Sequence, residues 1–352
     1  MFWVAPQLLV TLTFSMIIFG KLNTNNGGEN NNHPMKKFRL ITLLLISVCI
    51  LQCCKKEDNV DFCASGVPYD YDVVVGNASY FWPCFNPNNK NELLFVRQLA
   101  DNNYSSDLCI YDLATHQSRI ICSLPYSISE APKWGKQDWI VFGYLGKVYQ
   151  IKSDGTGLQQ NPFIGYQYSL NWSPDGNYIL GFVYSPYNSI NVIDMQGNVI
   201  SYSDTTAFYI GDWNNDNIVV SLDFGSTGNY GYKGLKFLEY PGFTFIKHIK
   251  VIEQGNEIVG RMQWLPNTHK VVWIGGYTIQ QTDFDTEGTT IISEHHCRLR
   301  QNTGITINND GTKIAVSERV LQVNAQYRKA VGANSIYLMD MDTKVEERLD
   351  LP

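Results

Sequence analysis

The chain has little charge, and least of the positive kind: charged residues make up 17% of it, with 27 Lys and Arg against 33 Asp and Glu. Nucleic-acid binding needs a basic footprint to displace counterions, and none is visible along the sequence, so that class of partner is set aside. The basic residues Lys21, Lys36, Lys37 and Arg39 crowd into the first 53 positions against one acid, Glu29. The remainder is therefore more acidic than the net −6 of the whole. Histidine is scarce, with six in 352 residues. There is no Gly-x-Ser-x-Gly elbow, no His-Glu-x-x-His pair and no phosphate-cradling Gly-Lys-Ser/Thr loop. These gaps argue against the common hydrolytic and nucleotide chemistries, although catalysis assembled from scattered loops would leave no such motif. Neither an enzyme nor a cofactor is expected.

What the chain does have is apolar and aromatic material, 44% and 13% of its residues, with 21 Tyr and 17 Phe. That is ample for a buried core, and the aromatic bias favours strands.

The N-terminus reads as an address. From Met35, the basic Lys36, Lys37 and Arg39 precede an apolar run from Leu40 to Leu51, which has the length of a signal peptide and is short for a membrane span. The run ends in Leu51-Gln52-Cys53-Cys54, which resembles the bacterial lipoprotein lipobox. Cys54 fits as the lipidated residue, with Leu51 three positions before it, and Cys53 is the alternative. Lys55-Lys56-Glu57-Asp58 resembles a surface-display signal of Gram-negative lipoproteins. Residues 1–34 hold a second apolar stretch and read as an upstream extension, residues 35–53 as signal peptide and residues 54–69 as tether. An outer-membrane lipoprotein, facing the periplasm or the cell surface, is the expected location.

The rest of the chain repeats itself. The clearest copy runs Asn171-Trp172-Ser173-Pro174-Asp175-Gly176-Asn177-Tyr178-Ile179-Leu180-Gly181-Phe182. Degraded copies begin at Cys84, Lys133, Asp212, Gln263 and Thr306. Their anchor positions are Phe85, Trp134, Trp172, Trp213, Trp264 and Ile307, at spacings of 49, 38, 41, 51 and 43 residues. A period in the forties matches one four-stranded propeller blade. In each copy a polar turn such as Ser173-Pro174-Asp175-Gly176 leads into a nearly unbroken apolar run, as in Ile179 to Val183 or Val271 to Ile274. A strand wet on one face should alternate, whereas one covered on both faces need not. The second half of each repeat, for example Ile190 to Gly197 or Ser335 to Asp340, alternates as an outer hairpin would.

Six anchors predict an all-β fold over residues 70–352, a six-bladed β-propeller of four-stranded blades. The extra run Tyr71 to Val75 is expected to complete the last blade and close the ring. A β-sandwich is the competing fold, but it explains neither the period nor the two-faced apolar strands. The Trp172 copy, followed by Ser335-Ile336-Tyr337-Leu338-Met339-Asp340 near the end, resembles the WD40-like (PD40) repeats of TolB and of the propellers attached to prolyl-oligopeptidase-type enzymes. The resemblance covers about residues 70–352 and implies a propeller of the cell envelope. It does not extend to TolB's preceding domain or to a hydrolase domain after the last repeat.

Several local patterns invite chemistry. Asp283, Asp285, Glu287, Gly288 and Glu294 superficially match a calcium loop, but the surroundings read as an outer hairpin where Asp-x-x-Gly is turn chemistry. His295-His296-Cys297 supplies ligand atoms, yet neighbours on a strand face opposite ways, so no metal site is expected. Among the cysteines after the anchor, Cys109 and Cys122 are symmetric about Thr115-His116, which predicts a cross-strand disulfide. A second bridge, Cys63 to Cys84, would tie down the arm and leave Cys297 free. Because the anchors are equivalent in every blade, a unique site should lie in what differs between repeats: the intervals Arg97 to Asp107, Gly225 to Gly234 and Glu318 to Ala333. Tyr104, Tyr230, Tyr232, Arg319, Tyr327 and Arg328 are the candidate binding residues there. The expected function is a non-enzymatic, monomeric scaffold that binds an envelope protein or a glycan and is held at the membrane by its lipid anchor. The alternative is a propeller-type polysaccharide lyase or another metal-dependent glycan enzyme.

Overall fold

The repeat's turns decide where each strand begins. In Ser173 to Tyr178, Gly176 takes φ +75 and donates its N–H to the Ser173 carbonyl, while the Ser173 hydroxyl accepts the Tyr178 N–H at 2.9 Å. Asn308 to Lys313 repeats the arrangement, with Gly311 at φ +75 and the Asn308 side chain accepting the Lys313 N–H. A short polar side chain that pairs with the backbone five residues on, plus one glycine in the left-handed region, makes a tight reversal cheap.

The computed structural model describes residues 72–75, 78–101, 103–163, 165, 167–183, 189–203, 209–223, 234–250, 261–275, 278–294, 301–324 and 329–352. The segments read as upstream extension, signal peptide and tether lie outside them, and with these Cys53, Cys54 and Cys63.

Strand β1 (Asp72–Val75) precedes six blades. Blade 1 comprises β2 (Ala78–Phe85), β3 (Glu92–Leu99), β4 (Ser106–Asp112) and β5 (Gln117–Leu124); blade 2 comprises β6 (Ile128–Trp134), β7 (Trp139–Tyr144), β8 (Lys147–Lys152) and the short β9 (Gln159–Gln160). Blade 3 holds β10 (Gln167–Trp172), β11 (Ile179–Val183), β12 (Ser189–Ile193) and β13 (Val199–Ser203); blade 4 holds β14 (Tyr209–Trp213), β15 (Ile218–Asp223), β16 (Gly234–Glu239) and β17 (Thr244–Lys250). Blade 5 follows with β18 (Met262–Trp264), β19 (Lys270–Gly275), β20 (Thr278–Asp283) and β21 (Thr289–Glu294), and blade 6 with β22 (Gln301–Ile307), β23 (Lys313–Asn324), β24 (Lys329–Asp340) and β25 (Glu346–Arg348). Every blade is an antiparallel meander, so the predicted six-bladed propeller is the fold.

The core is not one mass but six seams, each shared by two neighbouring blades. Leu94 and Leu108 of blade 1 meet Ile140 and Phe142 of blade 2, while Val141, between those two, packs with Ile179 of blade 3. That double coverage explains the unbroken apolar runs. Each anchor fills the seam with the preceding blade: Phe85, Trp134, Trp172, Trp213, Trp264 and Ile307 fall in six different clusters and are all buried. The last seam joins Ala315, Ile336 and Leu338 to Phe85 and Phe95, which closes the ring.

Five of the six inner strands carry a β-bulge, in blades 1, 2, 3, 4 and 6. Trp82 and Ser169 sit in these bulges with φ 52. Pro83 and Pro132 are tolerated there because a bulge frees the strand from supplying every ladder N–H.

The structure refines one expectation and corrects others. Strand β1 joins the last blade as expected, and it does so as a fifth strand, parallel to β24 through Asp72↔Lys329 to Val75↔Gly332, because β25 already completes the meander along Tyr337 to Met339. The Cys109–Cys122 disulfide is absent. The β4–β5 turn centres one residue earlier than sequence symmetry suggests, which pairs Cys109 with Ile120, and a bulge beyond it pairs Cys122 with Leu108. The two thiols consequently join different seams, Cys109 with blade 6 and Cys122 with blade 2, and both are free. Cys84 is free and buried too. Finally, of the intervals read as inserted loops, Glu318 to Ala333 is mostly strand, and Arg97 to Asp107 has strand at both ends around a turn. Arg97 and Asp107 form a cross-strand ion pair at 2.8 Å, and β23 and β24 stay in register from Lys313↔Asp340 out to Asn324↔Lys329. The apolar residues Val320, Leu321 and Val323 continue the strand pattern of β23, so the blade lengthens into a hairpin instead of breaking into a loop.

Candidate functional site

The residue before each anchor lies on the channel-lining strand, and these six positions are Cys84, Lys133, Asn171, Asp212, Gln263 and Thr306. At four junctions this side chain accepts the backbone N–H of the next blade's anchor. Thr306 accepts from Phe85 at 3.3 Å, Cys84 from Trp134 at 3.3 Å, Asp212 from Trp264 at 2.9 Å and Gln263 from Ile307 at 3.0 Å. Between blades 3 and 4 the Asn171 amide donates to Asp212 at 2.6 Å. Lys133 has no acceptor to offer, and at that junction the indole N–H of Trp172 instead donates to the Lys133 carbonyl at 3.0 Å. The six positions thus form a hydrogen-bonded belt around the channel.

The belt leaves charge in the channel. Burial raises the Asp212 carboxyl above the usual range, opposed by the Lys133 charge and by the N–H donors. Farther along, burial also raises Glu130, opposed by Arg261 and by the Ser169 N–H that Glu130 accepts at 3.1 Å. Arg261 lies over the Trp82 ring, 5.7 Å from its centroid.

Just outside the belt, the first turns of all six blades surround a cavity of about 570 Å³. Pro87, Lys136, Pro174, Asn215, Pro266 and Asn309 contribute one wall each. Beneath them the four tryptophans differ in one respect. Trp134 and Trp172 donate their indole N–H to Asp138 and to Lys133, whereas the indole nitrogens of Trp213 and Trp264 are buried with no acceptor among the described residues. A second cavity, of about 370 Å³, adjoins it between blades 3 and 4.

His269 stands on the rim of the mouth. Its Nδ1 lies 2.9 Å from Asp285 of its own blade and its Nε2 3.1 Å from Asp216 of blade 4. The two carboxylates raise the imidazole above its ordinary value, the hydrogen bond that His269 donates to Asp285 most of all. Asp285 belongs to the segment that resembles a calcium loop. There, Asp283 accepts the N–H groups of Asp285 and Thr286, and Glu287 takes φ 61, which is hairpin turn geometry. The same turn recurs at Asp112 to His116 and Asp340 to Lys344. Among the described residues no group of three or more His, Cys, Asp or Glu is placed to hold a metal; His295, His296 and Cys297 lie outside them.

Of the candidate binding residues, Tyr104 stands in the β3–β4 turn, 56% exposed with φ 52, and away from the mouth lining. The backbone of Arg319 belongs to β23, and Tyr230, Tyr232, Tyr327 and Arg328 lie outside the described residues. Sequence reasoning passed over the mouth because its lining comes from the most repetitive part of the chain. The available signal was the Asn and Pro content of six first turns at one repeat position.

The sequence matches no known protein-family profile and no curated protein. Solved structures do match. A protein assigned as TolB in Agrobacterium tumefaciens is 14% identical, aligning 70% of this chain with 88% of its own at a TM-score of 0.55. TolB from Acinetobacter baumannii is 14% identical over 81% of this chain and 65% of its own, at 0.52. The tricorn protease reaches 0.56 at 15% identity, covering 79% of this chain but only 27% of the protease. These likenesses establish a TolB-like propeller fold.

Proposed function

We propose that the protein is a non-catalytic binding scaffold of the cell envelope, held at the outer membrane by a lipid on Cys54, whose channel mouth receives a segment of a partner protein. The observation that carries this reading is the mouth itself. All six blades contribute to it, so its shape depends on the closed ring and on no single loop, and a rigid ring can present it unchanged to a ligand. Its rim offers proline faces, exposed carboxamides and the Lys136 ammonium, which suit a polypeptide's mixed apolar and carbonyl surface. The address read from residues 35–54 supports the location. Tyr230, Tyr232, Arg319, Tyr327 and Arg328, with Tyr104, are the further positions at which a partner would be held.

A photocrosslinking amino acid at Asn215 or Asn309 should capture one partner in the native cell, while the same probe at Tyr202 on the outer edge of blade 3 should not. Capture of the same partner from Tyr202 and none from the mouth would overturn the reading. Fatty-acid labelling should mark the protein and be lost in Cys54→Ala; label that persists there and disappears in Cys53→Ala would move the anchor by one residue.

A further inference from the structure

The smaller cavity differs in chemistry from the mouth it adjoins. Its 370 Å³ are lined by Ser173, Pro174, Asp175 and Tyr178 of blade 3 and by Trp213, Asn215, Asn217 and Tyr240 of blade 4. Trp213 packs against Tyr240, with ring centroids 4.4 Å apart, and Tyr178 and Tyr240 flank the same seam. The backbone of Tyr240 is fixed by donating to the Asn217 carbonyl at 2.9 Å, and that of Tyr178 by donating to the Ser173 hydroxyl. Their phenol groups, by contrast, hydrogen-bond to none of the described residues, and neither do the side-chain amides of Asn215 and Asn217. The two phenols and the Asp175 carboxylate stand close enough for Tyr178 and Asp175 to raise the Tyr240 hydroxyl, behind the larger effect of burial. Asp175 itself is held by the Ser173 hydroxyl and by both the backbone and side chain of Asn177. Beside the same cavity the Trp213 indole N–H is buried with no acceptor among the described residues, in a residue only 5% exposed.

We infer that this cavity between blades 3 and 4 is a binding site for a single neutral sugar ring. Aromatic edges and faces meet the C–H faces of a pyranose, while phenol and carboxamide groups can each donate to and accept from its hydroxyls. The cavity is confined to one blade junction and lies near the lower end of the range for small-ligand sites, about 300–1,000 Å³, which suits one ring and not an extended chain. No Lys or Arg lines it and Asp175 does, so an acidic sugar would meet a carboxylate with no counter-charge. The site shares Ser173, Pro174, Trp213 and Asn215 with the channel mouth, but Asp175, Tyr178, Asn217 and Tyr240 line it alone, so variants of the two phenols read its sugar binding apart from what the mouth binds.

The test uses the full-length protein, kept free of glycoside detergents, and saturation-transfer NMR. The probes are the methyl glycosides of glucose, galactose, mannose and N-acetylglucosamine, methyl glucuronide and a proline-rich tetrapeptide. At least one neutral glycoside should take up saturation. Its affinity should fall about tenfold or more in the double variant Tyr178→Phe with Tyr240→Phe, which removes two unpartnered hydroxyls and leaves the rings in place. Methyl glucuronide should bind more weakly than the corresponding glucoside. The proposal is overturned if no neutral glycoside binds, if the glucuronide binds as well as the glucoside, if the double variant binds as wild type does, or if the tetrapeptide alone occupies the site. Asn217→Ala gives a second variant with the same expected loss, should the double variant fail to fold.

Discussion

Asp212 of blade 4 accepts the backbone N–H of Trp264 in blade 5 at 2.9 Å, so one carboxylate fixes the start of its neighbour's first turn. The same side chain holds the Trp213 N–H at 2.9 Å and the Asn171 amide at 2.6 Å. Asp212→Ala leaves three donors facing a void and should destabilise the ring by about 3 kcal/mol or more, since each orphaned buried partner costs about 1–3 kcal/mol. Asp212→Asn keeps one acceptor oxygen and should cost less. Denaturant titration of both variants checks the order, and an Ala variant as stable as wild type would refute the belt.

Trp172 lies against Gly135, where an added Cβ would come within 2.6 Å of the indole ring. Trp172→Ala should cost about 3–5 kcal/mol as a large core truncation. Gly135→Ala should cost about 1–3 kcal/mol by overpacking the same seam from the other side. Thermal and chemical unfolding of the two single variants measures both.

The thiols should behave as three separate groups. Cys109 is buried, with burial pushing its pKa up to about 12, and Cys122 is partly exposed. A maleimide should modify Cys122 in the native protein and reach Cys109 and Cys84 only after unfolding. Mass spectrometry of protein unfolded without reductant should find Cys109 and Cys122 unbridged. A Cys109–Cys122 linked peptide would show the predicted bridge and overturn the bulged register.

His269 makes the junction of blades 4 and 5 sensitive to pH. Protonated, it donates to Asp216 and Asp285 together; neutral, it has one N–H and must turn a lone pair toward a carboxylate. Its edge also meets Phe284, over which Lys247 sits while bonding Glu287. Because the folded-state pKa is raised above the unfolded value, the stabilisation is fully present below about pH 6.5 and is lost as pH rises through the raised value. The melting-temperature difference between wild type and His269→Gln should therefore be largest in mild acid and shrink in alkali. A difference independent of pH would sink this assignment. All three side chains are exposed, so the effect should be small and should weaken with added salt.

The blade count, the anchors and the two-faced strands were legible in the sequence because they repeat. Trp134, Trp172, Trp213 and Trp264 recur at blade spacing, and a feature stated several times survives the decay of any one copy. The Ser173 to Gly176 turn was legible as well, since its geometry depends on its own residues. What the sequence could not settle was register. A bulge beside Cys109 moves one thiol to the opposite face of its blade, and a bulge is a cooperative outcome of two strands and a turn, with no residue type that declares it. Nor could it separate a loop from a longer hairpin at Glu318 to Ala333, where pairing partners rather than composition decide. The belt, the His269 bridge and both cavities belong to the tertiary structure alone. They join residues one blade apart in the sequence, such as Asn171 with Asp212 at 41 positions and Asp216 with His269 at 53, and only the closing of the ring brings one repeat's turn against the next.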